Sequence, residues 1–261
     1  MIDTAAAAAR LLREHDERAT FRSIREAFPF EDIGVSYDIQ REFVKRLCAR
    51  EGCGAVGYKI GLTSARMQAM CGIPHPIGGQ ILESRVHRSG ARVALSQHLR
   101  LGVECEIAVR LGRNIDAGSL PATIAELSGA VAAVAPAFEL IEDRNADYTA
   151  LDMLTIVADN SWNSGIVLGE FRESWPDLGA VEGIVEVNGA AVDRGFGRDA
   201  LGHPFEPLLW LARHLVHRGE ALSAGDIVMT GSLVPTRFPA AGDRYRFSLE
   251  GLGQVEAGFA E

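Results

Sequence analysis

The sequence predicts an α+β protein, helical over its first part and rich in strands thereafter. Two observations carry this. Up to about residue 51 apolar residues recur at helical spacing, whereas beyond Gly52 and Gly54 the chain breaks into short aliphatic runs punctuated by glycine. A hydrophobic content of 47% supports a folded core rather than a disordered chain. The expected division is a helical N-terminal part over 1–85, packed on a strand-rich body over 86–261.

Taken in order, Ala5–Ala9 continues into "RLLREHDER", which reads as a charged amphipathic helix rather than a signal core with a basic leader. His15 within it is expected on a solvated helix face. In "VSYDIQREFVKRLCARE", Ile39, Phe43, Val44 and Leu47 fall on one helical face. "AVGYKIGLTS" and "LRLGVECEIAVRLGRNI" read as strands. "SLPATIAELSGAVAAVAPAFELIEDR" reads as a helix from about Pro121 that gives way to a strand after Pro136. Asn188-Gly189, between alternating apolar residues, signals a hairpin. "PFEPLLWLARHLVHRGEAL" is a helix with Leu208, Leu209, Leu211, Ala212 and Leu215 facing the core, and His203 precedes it as a cap or substrate contact. "GDIVMTGSL" and "GDRYRFSLEGLGQVEAGF" are again strand and turn.

A net charge of -9 argues against nucleic acid or an anionic membrane surface as a partner. No apolar run approaches the roughly 18 residues of a membrane span. A cytoplasmic protein acting on a small molecule is the expectation, and an anionic ligand would need a local cation. Cys48, Cys53, Cys71 and Cys105 form no Cys-x2-Cys pair and are expected to be reduced thiols.

The candidate chemistry begins at "VECEIAV". On a strand, positions i and i+2 share a face, so Glu104 and Glu106 project together from an otherwise apolar run. Such a pair marks either a solvated edge face or a hard divalent metal, Mg2+ or Mn2+, which takes oxygen ligands. Glu139, in the apolar "PAFEL" run, offers a third carboxylate. Lys59, between glycines in "GYKIG", is either a snorkelling edge residue or a cation for a substrate carboxylate or enolate. "ADNSWNSG" gathers Asp159, Asn160, Ser161, Asn163 and Ser164, as a capped turn or a binding segment, and Thr230 and Ser232 flank Gly231 at a strand end.

Together, "GYKIGLTS", "VECEIAVRLGR", "PAFELIEDR", "VADNSWNSGIVLG", "LGHPFEPLLWLARHL" and "GDIVMTGSL" resemble the 2-keto-4-pentenoate hydratase and 4-oxalocrotonate decarboxylase family of the fumarylacetoacetate hydrolase superfamily. The resemblance implies a mixed β-roll, a homo-oligomer, and a Mg2+ or Mn2+ ion on Glu104, Glu106 and Glu139. It implies Lys59, Asp159 and Ser164 as catalytic, with Lys59, Asn160, Ser161, Thr230 and Ser232 contacting substrate. The implied reaction is hydration of a 2-hydroxy-2,4-dienoate, or its 2-oxo tautomer, in aromatic meta-cleavage catabolism. Decarboxylation of a 2-oxo-hexenedioate, acylpyruvate hydrolysis and a non-catalytic partner subunit are the alternatives. One departure stands out: "GIPHPIGG" has Pro74 and Ile77 where the family commonly has aspartates, leaving His75 as the titratable residue of that stretch.

Overall fold

The computed structural model describes residues 2–261. Two helices open the chain, α1 (Thr4–Asp16) and α2 (Ile33–Glu51), followed by β1 (Ala55–Gly61), α3 (Ala65–Cys71), β2 (Ile77–Leu82), β3 (Val86–Arg88) and β4 (Ala91–Ala94). The centre consists of β5 (Leu101–Leu111), α4 (Ile124–Ser128), β6 (Val131–Glu142), α5 (Met153–Ala158) and β7 (Asn163–Leu168). The hairpin β8 (Glu182–Val187) and β9 (Ala190–Phe196), then α6 (Phe205–His217), β10 (Ile227–Ser232), β11 (Arg244–Leu249) and β12 (Gly253–Ala260) complete it.

The strands form two mixed sheets, as an α+β fold requires. One runs β2-β1-β10-β5-β6-β7-β3 and the other β4-β12-β11-β8-β9. Phe138 from β6 and Phe247 from β11 meet between them, with ring centroids 6.4 Å apart, and Val103, Ile107 and Val185 fill the same core. The residues of α2 chosen by spacing do face inward, where Phe43 and Leu47 pack on Ala8 and Leu11 of α1. Both helices are capped as their sequences ask: Asp3 accepts from the Ala6 amide and Asp32 from that of Gly34, while α2 stops at left-handed Gly52. The predicted hairpin turn is present, with Asn188 and Gly189 both at positive φ. No helix among the described residues is long and apolar enough to cross a membrane.

Two expectations need correction. The division at residue 85 does not follow the architecture, because residues 55–82 supply β1 and β2 to the seven-stranded sheet. The strand-free stretch ends at Glu51, before β1 begins at Ala55. The helix expected from Pro121 shrinks to the short α4, and β6 starts at Val131, ahead of Pro136. The proline is tolerated because β6 and β7 pair only from Ala137 onward. Pro136 accepts from Gly169 on that side, so its missing donor faces the place where β7 ends.

Candidate active site

The centre is built by register. In β5, Glu104 and Glu106 share a face, and the antiparallel pairing with β6 sets Glu104 directly opposite Glu139. Carboxylate oxygens of the three lie within 4.8 Å of one another, with Glu106 and Glu139 fully buried. From the other side β10 delivers a bulge: its register with β5 slips between Met229 and Ser232, freeing the Gly231 amide, which donates to Glu106 Oε2 at 2.7 Å. Gly231 sits at φ +102, and a Cβ there would lie 2.1 Å from Thr63 Oγ1, so the position admits only glycine.

Lys59 projects from β1 and is 4% exposed, its Nζ 3.1 Å from Glu139 Oε1. Burial pulls its pKa down, but Glu139, Glu104 and Glu106 outweigh burial and the ammonium is held. Asn163 Nδ2 donates to the same Glu139 oxygen at 2.9 Å, and Thr236 donates to Glu104 Oε1. These contacts leave Glu106 Oε1 and Glu139 Oε2 buried with no partner. The cost is visible in the acids: burial, then the neighbouring carboxylates, push Glu106 far up, and burial pushes Glu139 up against the pull of Lys59.

The centre opens into a cavity of about 450 Å3, with Lys59 and Glu104 at its polar end and Leu62, Met67, Leu151 and Met153 among its apolar walls. Ser161 and Trp162 reach it from a strained turn in which Asn160, Ser161 and Trp162 all have positive φ. The turn is held by the Asn160 side chain, which accepts from the Gln80 amide at 2.7 Å and donates to the Gln80 carbonyl at 2.8 Å. Ser161 Oγ donates to Gly78 O at 2.8 Å. Gly79 allows this approach, since a Cβ there would lie 2.5 Å from Asn160 O.

The residues selected from sequence therefore divide. Glu104, Glu106, Glu139, Lys59, Ser161 and Ser232 meet at the centre and its cavity. Asn160 and Thr230 are buried and committed to backbone partners, Thr230 Oγ1 donating to Ile107 O. Asp159 and Ser164 line a different cleft. The Asp159 carboxylate accepts from Arg144 Nη2 at 2.7 Å and lies 2.6 Å from His15 Nε2. His15 is thus not on a solvated face as expected. It anchors α1 to the body through Asp159 and does not line the cavity. His203 acts as a cap, its Nδ1 accepting from the Phe205 amide. Ile77 lines the cavity, whereas His75 stacks on Trp210 outside it. Thr236 was missed, and Asn163, singled out only as part of the polar "ADNSWNSG" segment, proves to orient Glu139.

Three carboxylates kept together against that electrostatic cost, beside an open apolar cavity, belong to an α+β enzyme with a carboxylate centre. Comparison narrows the class. Residues 63–260 match the family model described as fumarylacetoacetate (FAA) hydrolase C-terminal. The chain is 36% identical over 258 residues to the 2-keto-4-pentenoate hydratase of Paraburkholderia phymatum, covering 97% of this chain and 96% of that protein. To 2-keto-4-pentenoate hydratase 1 of Dechloromonas aromatica it is 34% identical over 262 residues, covering 100% and 98%. Its fold matches the solved 4-oxalocrotonate decarboxylase from Pseudomonas putida G7, complexed with magnesium and adipate, at TM-score 0.91 and 28% identity over 98% of this chain and 97% of that one. The chain belongs to the fumarylacetoacetate hydrolase family.

Proposed function

We propose that the protein is a divalent-metal-dependent hydratase. It adds water to a 2-hydroxy-2,4-dienoate to give a 4-hydroxy-2-oxo acid, in the catabolism of aromatic rings opened by meta cleavage. The observation that carries the reading is the pair of partnerless buried oxygens, Glu106 Oε1 and Glu139 Oε2, in a three-carboxylate cluster that Lys59 meets only through the other Glu139 oxygen. Buried carboxylate oxygens in that state call for a cation. The relatives named 2-keto-4-pentenoate hydratase, similar over nearly the whole chain, supply the reaction.

A hard-oxygen donor set fits magnesium or manganese, and Glu104, Glu106 and Glu139 would hold the ion. When bound, it supplies Lewis acidity toward the substrate's carboxylate and 2-oxygen. Lys59 Nζ, fixed by Glu139, adds a second positive charge where the enolate develops. The 2-hydroxyl proton leaves and a proton adds at C5, giving a 2-oxo-3-enoate. Water then bonds through oxygen to C4 and a proton adds at C3. Ser161 and Ser232 donate to Gly78 O and Val234 O, so their free lone pairs accept from the incoming water. The apolar walls keep bulk solvent from the enolate. Assembly as a homo-oligomer in the cytoplasm belongs to the same reading.

One observation favours a second reading. Arg66 lines the cavity, is exposed, and has no ion-pair partner among the described residues, so it can meet a second carboxylate. A decarboxylase of a 2-oxo-hexenedioate would use it, and the solved decarboxylase holds a dicarboxylate, adipate. With magnesium and 2-hydroxypenta-2,4-dienoate, we expect loss of the dienol absorbance and a product heavier by one water. Release of carbon dioxide from an unsaturated 2-oxo diacid, with no hydration of the dienoate, would transfer the assignment to the decarboxylase.

A further inference from the structure

Asp159 and Ser164, which the proposed hydration does not use, lie in a second cleft of about 430 Å3 with a composition at odds with the rest of the molecule. The chain carries a net charge of -9, yet Arg18, Arg50, Arg85, Arg92 and Arg144 all line this one cleft. Its lining acids are already engaged. Asp159 is held between Arg144 and His15, and Glu142 accepts from the amides of Leu99, Arg100 and Arg144 and pairs with His98. Arg50 and Arg85 share Glu51.

Arg18 and Arg92 have no carboxylate partner among the described residues, and Arg18 donates only to the carbonyls of Ser96 and His98. Arg144 is 1% exposed, and its Nε is buried without an acceptor even though both its other nitrogens are bonded. Like charges converging on a concave surface repel one another and raise the local potential for anions. A guanidinium donor buried without an acceptor costs free energy until something accepts from it. Arginine forks match the geometry of carboxylate and phosphate oxygens.

We propose that this cleft is a second ligand site, separate from the carboxylate centre, that binds a small multivalent oxyanion, a dicarboxylate or a phosphate. Arg18 and Arg92 hold the anion from the rim, and the Arg144 guanidinium adds positive charge beneath it. Isothermal titration calorimetry of the full chain with magnesium present, using succinate and inorganic phosphate as probes, tests the site. One binding event is expected with at least one probe, and the probe that binds identifies the source. Arg92→Glu, at an exposed and unpaired position, should weaken that event by about tenfold or more. Glu139→Gln should leave it intact; Glu104→Gln serves the same purpose if that protein fails to fold. Three results overturn the proposal: binding of neither anion, binding unmoved by Arg92→Glu, or binding abolished by the glutamate substitutions, which would put the anion on the carboxylate centre.

Discussion

Glu106 carries the sharpest conflict in the molecule. It is fully buried, flanked by two other carboxylates, and given one amide by Gly231, while its second oxygen has no partner. An ionised group in that position destabilises the metal-free fold, and a bound cation reverses the effect. Glu106→Gln keeps the shape and removes the charge, so stability and activity should part. In a thermal melt with chelator, the variant should unfold at a higher temperature than wild type, and the rise wild type shows on adding magnesium should be lost. Turnover should fall by about a hundredfold or more, beyond what altering a group that merely orients a ligand costs. A variant that keeps both turnover and the magnesium response would remove Glu106 from the ligand set. The three glutamates were legible because period-two geometry and apolar surroundings are local facts. Thr236 and Asn163 were not, because choosing their partners requires knowing which residues stand opposite Glu104 and Glu139. The placement of Asp159 was not legible for the converse reason: a polar segment beside a strand gives no sign of which cleft it faces.

At the scale of elements, irregularities aim the side chains. The β10 bulge turns one amide out of the ladder and onto Glu106, and the left-handed turn at Asn160–Trp162 carries Ser161 and Trp162 to the cavity just before Asn163 opens β7. Each is a locally strained conformation maintained by its neighbours. Gly231→Ala tests this directly. The added methyl would fall within 2.1 Å of Thr63 Oγ1 at a φ of +102, so the bulge must shift. A loss of about 1–3 kcal/mol is expected in urea unfolding, together with weaker magnesium binding as Glu106 loses its amide. Unchanged stability would show that the bulge relaxes freely. Strand identity was legible in β1, β5 and β10 from their aliphatic runs. The path of β6 was not, since a proline inside an alanine-rich run reads as a boundary, and only the end of β7 beside it explains why the strand continues.

Across the whole molecule, carboxylates join the N-terminal helical layer to the sheets. Asp159 takes His15 of α1 as well as Arg144, Asp152 takes Ser23 and Arg25, and Arg144 also reaches Glu14. A sequence reading that split the chain at residue 85 could not foresee this seam, because its partners are 127 to 144 residues apart. Burial works to raise both acids, yet the facing cations and hydrogen bonds win, and Asp159 and Asp152 lie below the ordinary aspartate range. Their folded pKa values are therefore depressed relative to the unfolded chain. The stability they contribute is fully present above the unfolded value of about 3.9 and is lost as pH falls through the lower folded values. Urea midpoints should accordingly change little on this account between pH 7 and 5 and drop steeply below about 4. Asp159→Asn leaves Arg144 buried and short of a counter-charge, so at pH 7 it should cost about 3–5 kcal/mol. Because the titrating group is gone, the drop below pH 4 should also become shallower than in wild type. If Asp159→Asn lowers the midpoint equally at every pH, the acid sensitivity originates elsewhere and the seam is held by packing alone.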